Sequence, residues 1–438
     1  MRKMRNSIAL VIFGIVMTGF LTSSGFGAEQ SQEIKIGVLF SMTGPFAPGG
    51  GLRAYRGCMI AIDMINARGG VAGKYKIKPI VADDQSSPDI AIREAERLIS
   101  VEKVPIIMGV FSSSVAMPLG PICEKNKTVF FITNAIADAI LKDKHFQYVF
   151  RHNWTGSQSG GMVMDFLNGN YQKLGLKSAN DLKVAILYED GPYGVSAGAM
   201  DAKMAQTYGM KVVFNESYAH DIKDMSAIIM KLKASGQDVI SHTGYFPDIV
   251  LLYRQGRELG LKTHAILGHG AGYSDAKSLE ESLGLTLFNY AFDTNSPAAQ
   301  NVARKGLDPE TSKLIDEFLR RAKEKYNDPD PTTHYTDGCF HSWIVFNEVM
   351  PLALKKYGEI NSETLRKAFL EVDVPPSKDP RAWGAKYAPP DHPEAGQNLR
   401  SMATLLQRIG GKEHVAWPKN LQTTEPKFPM PKDSPLAK

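Results

Sequence analysis

Cysteine is scarce in this chain: Cys58, Cys123 and Cys339 are the only three among 438 residues. They are odd in number, and no two stand in a C-x-x-C pair, so neither a disulfide framework nor a zinc ribbon is written here. Cys58 and Cys123 fall among apolar residues of helical pattern, which predicts buried structural thiols. Beyond the first 28 residues no apolar run is long enough for a membrane span. Basic tracts are missing too, which removes nucleic acid and anionic membrane surfaces as expected partners. The ten histidines contain no H-E-x-x-H motif; His145/His152 and His334/His341 each stand seven apart, and no metal is expected. No internal repeat of solenoid period is present.

What the chain does have begins with a leader. Arg2, Lys3 and Arg5 precede an apolar stretch from Ile8 to Leu21, and "SSGFGA" supplies small residues for cleavage after Gly27 or Ala28. Residues 1–28 therefore read as a secretory signal peptide, which places the mature chain in the periplasm. The leader holds three basic residues and no acidic one, so its removal lowers the net charge from +5 to +2.

The remainder alternates strand-like and helical segments. "EIKIGVLF", "YKIKPIVADD", "VPIIMGV" and "TVFFIT" are short apolar runs separated by helical patterns near 52–67, 88–100 and 114–126. A second series, "LKVAILYED", "MKVVFNESY", "QDVISHTG" and "HAILGHG", is interleaved with helices near 195–208, 225–234 and 247–259. Continuous apolar runs, as opposed to strict alternation, predict strands covered on both faces in a parallel sheet. "LTLFNYAFD" reads as one more strand, and long helices are expected near 309–326, 335–356 and 362–370. Pro375 to Gln397, rich in proline and charge, reads as a long surface loop. "ATLLQRIGGKEHVAWP" reads as a hairpin turning at Gly410-Gly411. The fold expected is α/β: two Rossmann-like doubly wound lobes.

The most unusual stretch is "SMTGPFAPGGG", Ser41 to Gly51, between the first strand and the first helix. It lacks the Lys and Ser/Thr of a Walker loop and the register of G-x-G-x-x-G, as does "GHGAG" at 268–272, so a nucleotide cofactor is not expected. "GVSAG", 194–198, spells the G-x-S-x-G of a nucleophile elbow, but the preceding strand ends near Tyr188, which leaves Ser196 inside a helix. An exported α/β hydrolase using Ser196 is the alternative that this motif keeps open. Six strand exits rich in Gly, Ser and Tyr, three from each series, point to one shared ligand cleft. "SSS", Ser112 to Ser114, opens a helix with hydroxyls and backbone donors, a combination suited to a carboxylate.

Taken in order, "IKIGVLFSMTGPFAPGGG", "AIDMINARGGVAGKYKIKPIVADDQSSP", "FSSS", "FRHNW", "VAILYEDGPYGVSAG", "GYFPDIVLLYRQGRELGLK" and the closing "VAWP" resemble the leucine/isoleucine/valine-type periplasmic substrate-binding proteins of ABC transporters. That resemblance implies two lobes joined by a three-segment hinge, with crossings near Arg151, Phe292 and Arg400. The implied division is 29–151 with 293–399 for the first lobe, 152–292 with 400–424 for the second, and 425–438 as a C-terminal tail. It implies a monomeric receptor that carries a small solute to an ABC permease and its ATPase and catalyses nothing; a sensor ectodomain shares the same fold.

The resemblance also carries site residues. Ser112 matches the serine that bonds the ligand carboxylate, Ala135 a position contributing backbone, Tyr193 and Tyr245 the second-lobe tyrosines over the ligand, and Phe111 the side-chain pocket. Two positions depart from the pattern. His269 stands in the loop where amino-acid binders place an acidic residue for the α-ammonium, and Ala137 stands near the usual threonine. Asp138 or Asp275 would have to supply the missing charge. The two ligand classes left open are a branched-chain or related amino acid, and a carboxylate without an α-amino group that His269 would bind.

Overall fold

A computed structural model describes residues 32–438; the signal peptide expected over 1–28 lies outside the described residues. Among the described residues, twelve strands build two sheets. β1 (Gln32–Phe40), β2 (Tyr75–Asp83), β3 (Ile106–Gly109), β4 (Val129–Ile132) and β5 (Val149–Arg151) form a wholly parallel sheet in the order 2-1-3-4-5. β6 (Lys183–Glu189), β7 (Lys211–Tyr218), β8 (Val239–Thr243), β9 (Ala265–Gly268) and β10 (Phe292–Asn295) repeat that order as 7-6-8-9-10, also parallel. β11 (Thr404–Ile409) and β12 (Lys412–Trp417) extend the second sheet antiparallel.

The apolar runs behave as their composition demands. In β1, Ile34, Ile36, Val38 and Phe40 join one core, with helix Leu52–Ala67 and the helices after residue 309, while Leu39 joins the core on the opposite face. In β6, Ala185 and Leu187 face one core, and Val184 and Ile186 the other. Each central strand is thus apolar on both sides, the condition for a parallel sheet wrapped by helices. Pro79 is tolerated because β2 is an edge strand. Gly410 and Gly411 both have positive φ, 58° and 76°, as the two-residue turn between β11 and β12 requires.

Three segments connect the lobes. The chain leaves the first sheet after β5, returns after β10, and crosses again between Asn398 and β11. Because β10 belongs to the second sheet, the second crossing follows Asn295 and does not coincide with Phe292. "LTLFNYAFD" is not one strand: Leu285–Phe288 is a helical turn, and only Phe292–Asn295 pairs.

Pro375–Gln397 is not a surface loop either. Trp383, Ala385, Tyr387 and Gln397 are buried, and Tyr387 packs on Phe131, Phe150 and Phe369 of the first-lobe core. Its prolines and charges break secondary structure without preventing burial, because backbone and side chains bond each other inside. Gln397 Oε1 accepts from Arg151 Nε at 2.6 Å, and Asp379 accepts from the backbone of Arg381 and Gly384. The closing segment, expected as a tail, docks on the second lobe, where Phe428, Met430 and Leu436 enter its cores and Ala437 bridges Thr263.

Candidate functional site

In a 2-1-3-4-5 sheet the strand order reverses between strands 1 and 3, and helix N-termini gather outside that point. Both sheets have this order, so each lobe offers one such crevice, and the two face each other. From the first lobe come the glycine loop after β1 and the Val110–Ser114 exit of β3; from the second, Gly191–Tyr193 after β6 and Gly244–Tyr245 after β8.

The residues that meet are mostly aromatic. Phe46 and Phe111 of the first lobe lie 4.5 Å and 6.3 Å, centroid to centroid, from the Tyr245 ring of the second, and Tyr193 lies 5.4 Å from Tyr245. Together with Ile136, Trp154 and Trp383 they form one buried cluster. The cavity beside them is walled by Phe111, Asn134, Trp154, Tyr193, Tyr245 and His334, among others. The glycines of the opening loop now have a reason: a Cβ on Gly50 would run into the rings of Phe111 and His334. This loop lies against the aromatic cluster.

At one end of the cluster sits the N-terminus of helix Ser113–Lys125. Ser112 Oγ is 2.7 Å from Ser114 Oγ and 3.4 Å from the Tyr245 hydroxyl. Unpaired N–H groups and hydroxyls at a helix start favour negative charge. Burial pushes the Tyr193 and Tyr245 phenols well above their ordinary range, so both are neutral donors. His334, on helix Thr333–Ile344, is also neutral: burial lowers its pKa to about 4. Its Nε2 donates to the Ala271 carbonyl of the opposite lobe at 2.8 Å. Asn134 Nδ2, Trp154 Nε1, the Tyr193 hydroxyl and His334 Nδ1 are buried without a partner. Polar atoms buried this way are costly unless something bonds them.

Phe111, Ser112, Tyr193 and Tyr245 are thus brought together at the cleft, and His269 and Ala137 are not. His269 is wholly buried in the second lobe with both ring nitrogens engaged. Nε2 faces Asp201 at 2.9 Å and Ser241 at 2.8 Å, and Nδ1 faces Ser159 at 2.8 Å. It turns toward helices 156–170 and 192–207, away from the cleft, and has no hydrogen to offer a solute. Ala137 packs its methyl group in the first-lobe core, as does Ala135, whose expected contribution is through its backbone. Asn134 and Ile136, which alternate with them along the extended segment, are the residues in the wall.

The acids proposed to replace the missing carboxylate are committed elsewhere. Asp138 accepts from the Ser157 N–H at 3.1 Å and from the Ser157 hydroxyl, and Asp275 pairs with Arg53 at 3.2 Å. Asp293, raised to about 7 by burial, accepts from Gly270 N–H and Ser274. Among the described residues, no Asp or Glu lines the cavity.

Phe46, Trp154 and His334 escaped the sequence reading. Phe46 and Trp154 lie inside stretches already singled out, "SMTGPFAPGGG" and "FRHNW". His334 had no local signal, because only the packing of its helix against 52–67 brings it to the cleft.

Ser196 is no nucleophile. Its Oγ accepts the Asp138 N–H at 3.0 Å across the lobe interface, and none of the ten histidines bonds it. The Ser159–His269–Asp201 chain has the composition of a triad but is sealed inside the lobe. Among the described residues there is no cluster of three or more His, Cys, Asp or Glu suited to a metal, and no helix long and apolar enough to cross a membrane.

Comparison with known proteins agrees with this architecture. The family model described as "Periplasmic binding protein" matches residues 33–403. The chain is 31% identical over 404 residues to the Leu/Ile/Val-binding protein homolog 7 of Brucella suis biovar 1 (strain 1330), covering 92% of this chain and 96% of that one. The solved structure of the branched-chain amino acid transporter substrate-binding protein LivJ from Streptococcus pneumoniae, in complex with isoleucine, superposes with a TM-score of 0.70 at 18% identity, over 87% of this chain and 98% of that one. A solute-binding protein of an ABC transporter from Rhodopseudomonas palustris, in complex with benzoate, gives 0.70 at 17%, over 87% and 94%. At such identities the likeness to the two structures is one of fold.

Proposed function

This chain belongs to the periplasmic binding protein family, and from that premise we propose that it is the periplasmic solute receptor of an ABC importer, closing on a small carboxylate that lacks an α-ammonium group and handing it to the permease. The observation that carries the reading is the pairing of the Ser112–Ser114 helix start, poised for an anion, with an aromatic wall free of carboxylates. An α-amino acid would bring an ammonium into that wall. Burying it without a counter-charge costs several kcal/mol, more than a methyl or ring contact returns. Asn134 Nδ2, Trp154 Nε1 and the Tyr193 hydroxyl are the spare donors, and His334 Nδ1 is the spare acceptor, for further polar groups on the solute. Phe46, Phe111 and Tyr245 supply its apolar contacts.

The test is a thermal-shift series on the mature chain, refolded after solute removal, with isoleucine, leucine, 4-methyl-2-oxopentanoate, benzoate and 3,4-dihydroxybenzoate. A solute at a hundred times its Kd adds about 2.7 kcal/mol, a shift of several degrees. Shifts with the oxo or aromatic acids and none with the amino acids are expected. Shifts confined to the amino acids would overturn the ligand class and leave the receptor assignment standing.

A further inference from the structure

The glycine loop delivers the chain to helix Leu52–Ala67, and Arg53 stands in its first turn at the rim of the cleft. Its guanidinium divides its donors between the lobes. NH1 bonds Asp328 Oδ2 at 3.3 Å, and Asp328 follows helix Pro309–Tyr326, whose Ile315 and Phe318 lie in the first-lobe core. Nε bonds Asp275 Oδ2 at 3.2 Å, and NH2 bonds Ser278 Oγ at 3.3 Å. Both of these partners belong to the start of helix Ala276–Leu283, whose Leu279 and Leu283 lie in a second-lobe core. Away from the hinge, Arg53–Asp275 is the one ion pair among the described residues that joins the two lobes.

Burial makes the arrangement directional. The Asp275 side chain is fully buried, whereas Arg53 keeps 19% of its side-chain surface. Parting the lobes would return Asp275 to water and leave Arg53 on Asp328. Closing them without Arg53 would bury an uncompensated carboxylate, which is strongly unfavourable. Asp328 holds the guanidinium fork in place beforehand, so little side-chain freedom is lost when Asp275 arrives.

We propose that Arg53 is a closure latch, held ready by Asp328 and engaged by Asp275 and Ser278 only when the lobes meet, which favours the closed receptor without touching the solute. Apparent affinity scales with the fraction of binding-competent protein, so losing the latch weakens every solute by the same factor. Arg53 is therefore a positioning residue. The proposal rests on lobe closure and not on which solute is bound.

The test uses the mature chain with spin labels at Lys144→Cys and Lys203→Cys, two exposed residues on opposite sides of one inter-lobe groove. Distance distributions are recorded by pulsed electron resonance without solute. The wild type is expected to show a short-distance population that falls at least tenfold in Arg53→Ala. It should recover in Arg53→Ala/Asp275→Asn, where no charge is left to bury. Unfolding midpoints of the variants separate this effect from misfolding, which the double variant would not rescue. A wild type without the short distance, an unchanged Arg53→Ala, or a double variant no more closed than the single one overturns the latch.

Discussion

The hydroxyl of Tyr245 lies 3.4 Å from Ser112 Oγ, so a second-lobe phenol meets the N-terminus of a first-lobe helix. Two crevices that are separate in the sequence become one site through this contact. An anion held there would be bonded from both sides at once, which is how a solute comes to favour the closed state.

Removing one side of that grip should be felt directly. Ser112→Ala is expected to weaken binding of the carboxylate that stabilises the wild type by tenfold or more, since a hydrogen bond to a charged group contributes about 1.5–3 kcal/mol. Isothermal titration of wild type and variant gives the comparison. Equal dissociation constants would remove Ser112 from the site.

Arg151 ties the hinge to the ligand wall. Its Nε donates to Gln397 at 2.6 Å and NH1 to the Ala137 carbonyl at 2.7 Å, and it is buried without a contacting carboxylate. Arg151→Met strands two buried acceptors at about 1–3 kcal/mol each. A loss of about 3 kcal/mol in urea unfolding is expected; a loss under 1 kcal/mol would mean that water or rearrangement replaces both bonds.

His334 gives a pH signature. Its pKa falls from 6.5 to about 4 on folding. Between those values the unfolded chain takes up a proton that the folded one refuses, so stability drops as pH falls from 6.5 to about 4, by about 3 kcal/mol in all. Asp293 acts oppositely: raised from 3.8 to about 7, it binds its proton first in the folded state and adds stability as pH falls from 7 toward 3.8. The two partly cancel in the wild type, so the measurable quantity is a difference. The stability of His334→Gln minus that of wild type should rise as pH drops from 6.5 to 4. Parallel curves would show that His334 is protonated in the folded protein.

The three thiols are all free and buried, and burial raises Cys58 and Cys123 to about 12. A disulfide-exchange reagent at pH 8 should therefore titrate none of them in the native protein and three in denaturant. Fast reaction of even one in the native state would mean local opening around it.

Much of this was legible beforehand because it is local. Short apolar runs dictate strands that are covered twice, helical spacing dictates the helices between them, and Gly410-Gly411 dictates its turn. The same locality explains where the structure departs from the sequence pattern. Proline and charge mark the absence of regular structure, but in Pro375–Gln397 that absence does not bring exposure, because Gln397 and Asp379 satisfy buried backbone and side chains. Ala137 lies one residue off the wall because alternation along an extended segment fixes which side chains share a face, but not which face meets the other lobe.

By itself, then, the sequence determined the two α/β lobes, their family resemblance and the strand exits that hold Phe111, Ser112, Tyr193 and Tyr245. Periodicity and turn chemistry act over a few residues, and these features need nothing more. Only the tertiary structure decided that His269 turns inward to Asp201 and Ser159, that His334 reaches the cleft from a distant helix, and that Arg53 spans the lobes to Asp275. Those outcomes depend on which partners three-dimensional packing brings within hydrogen-bond distance.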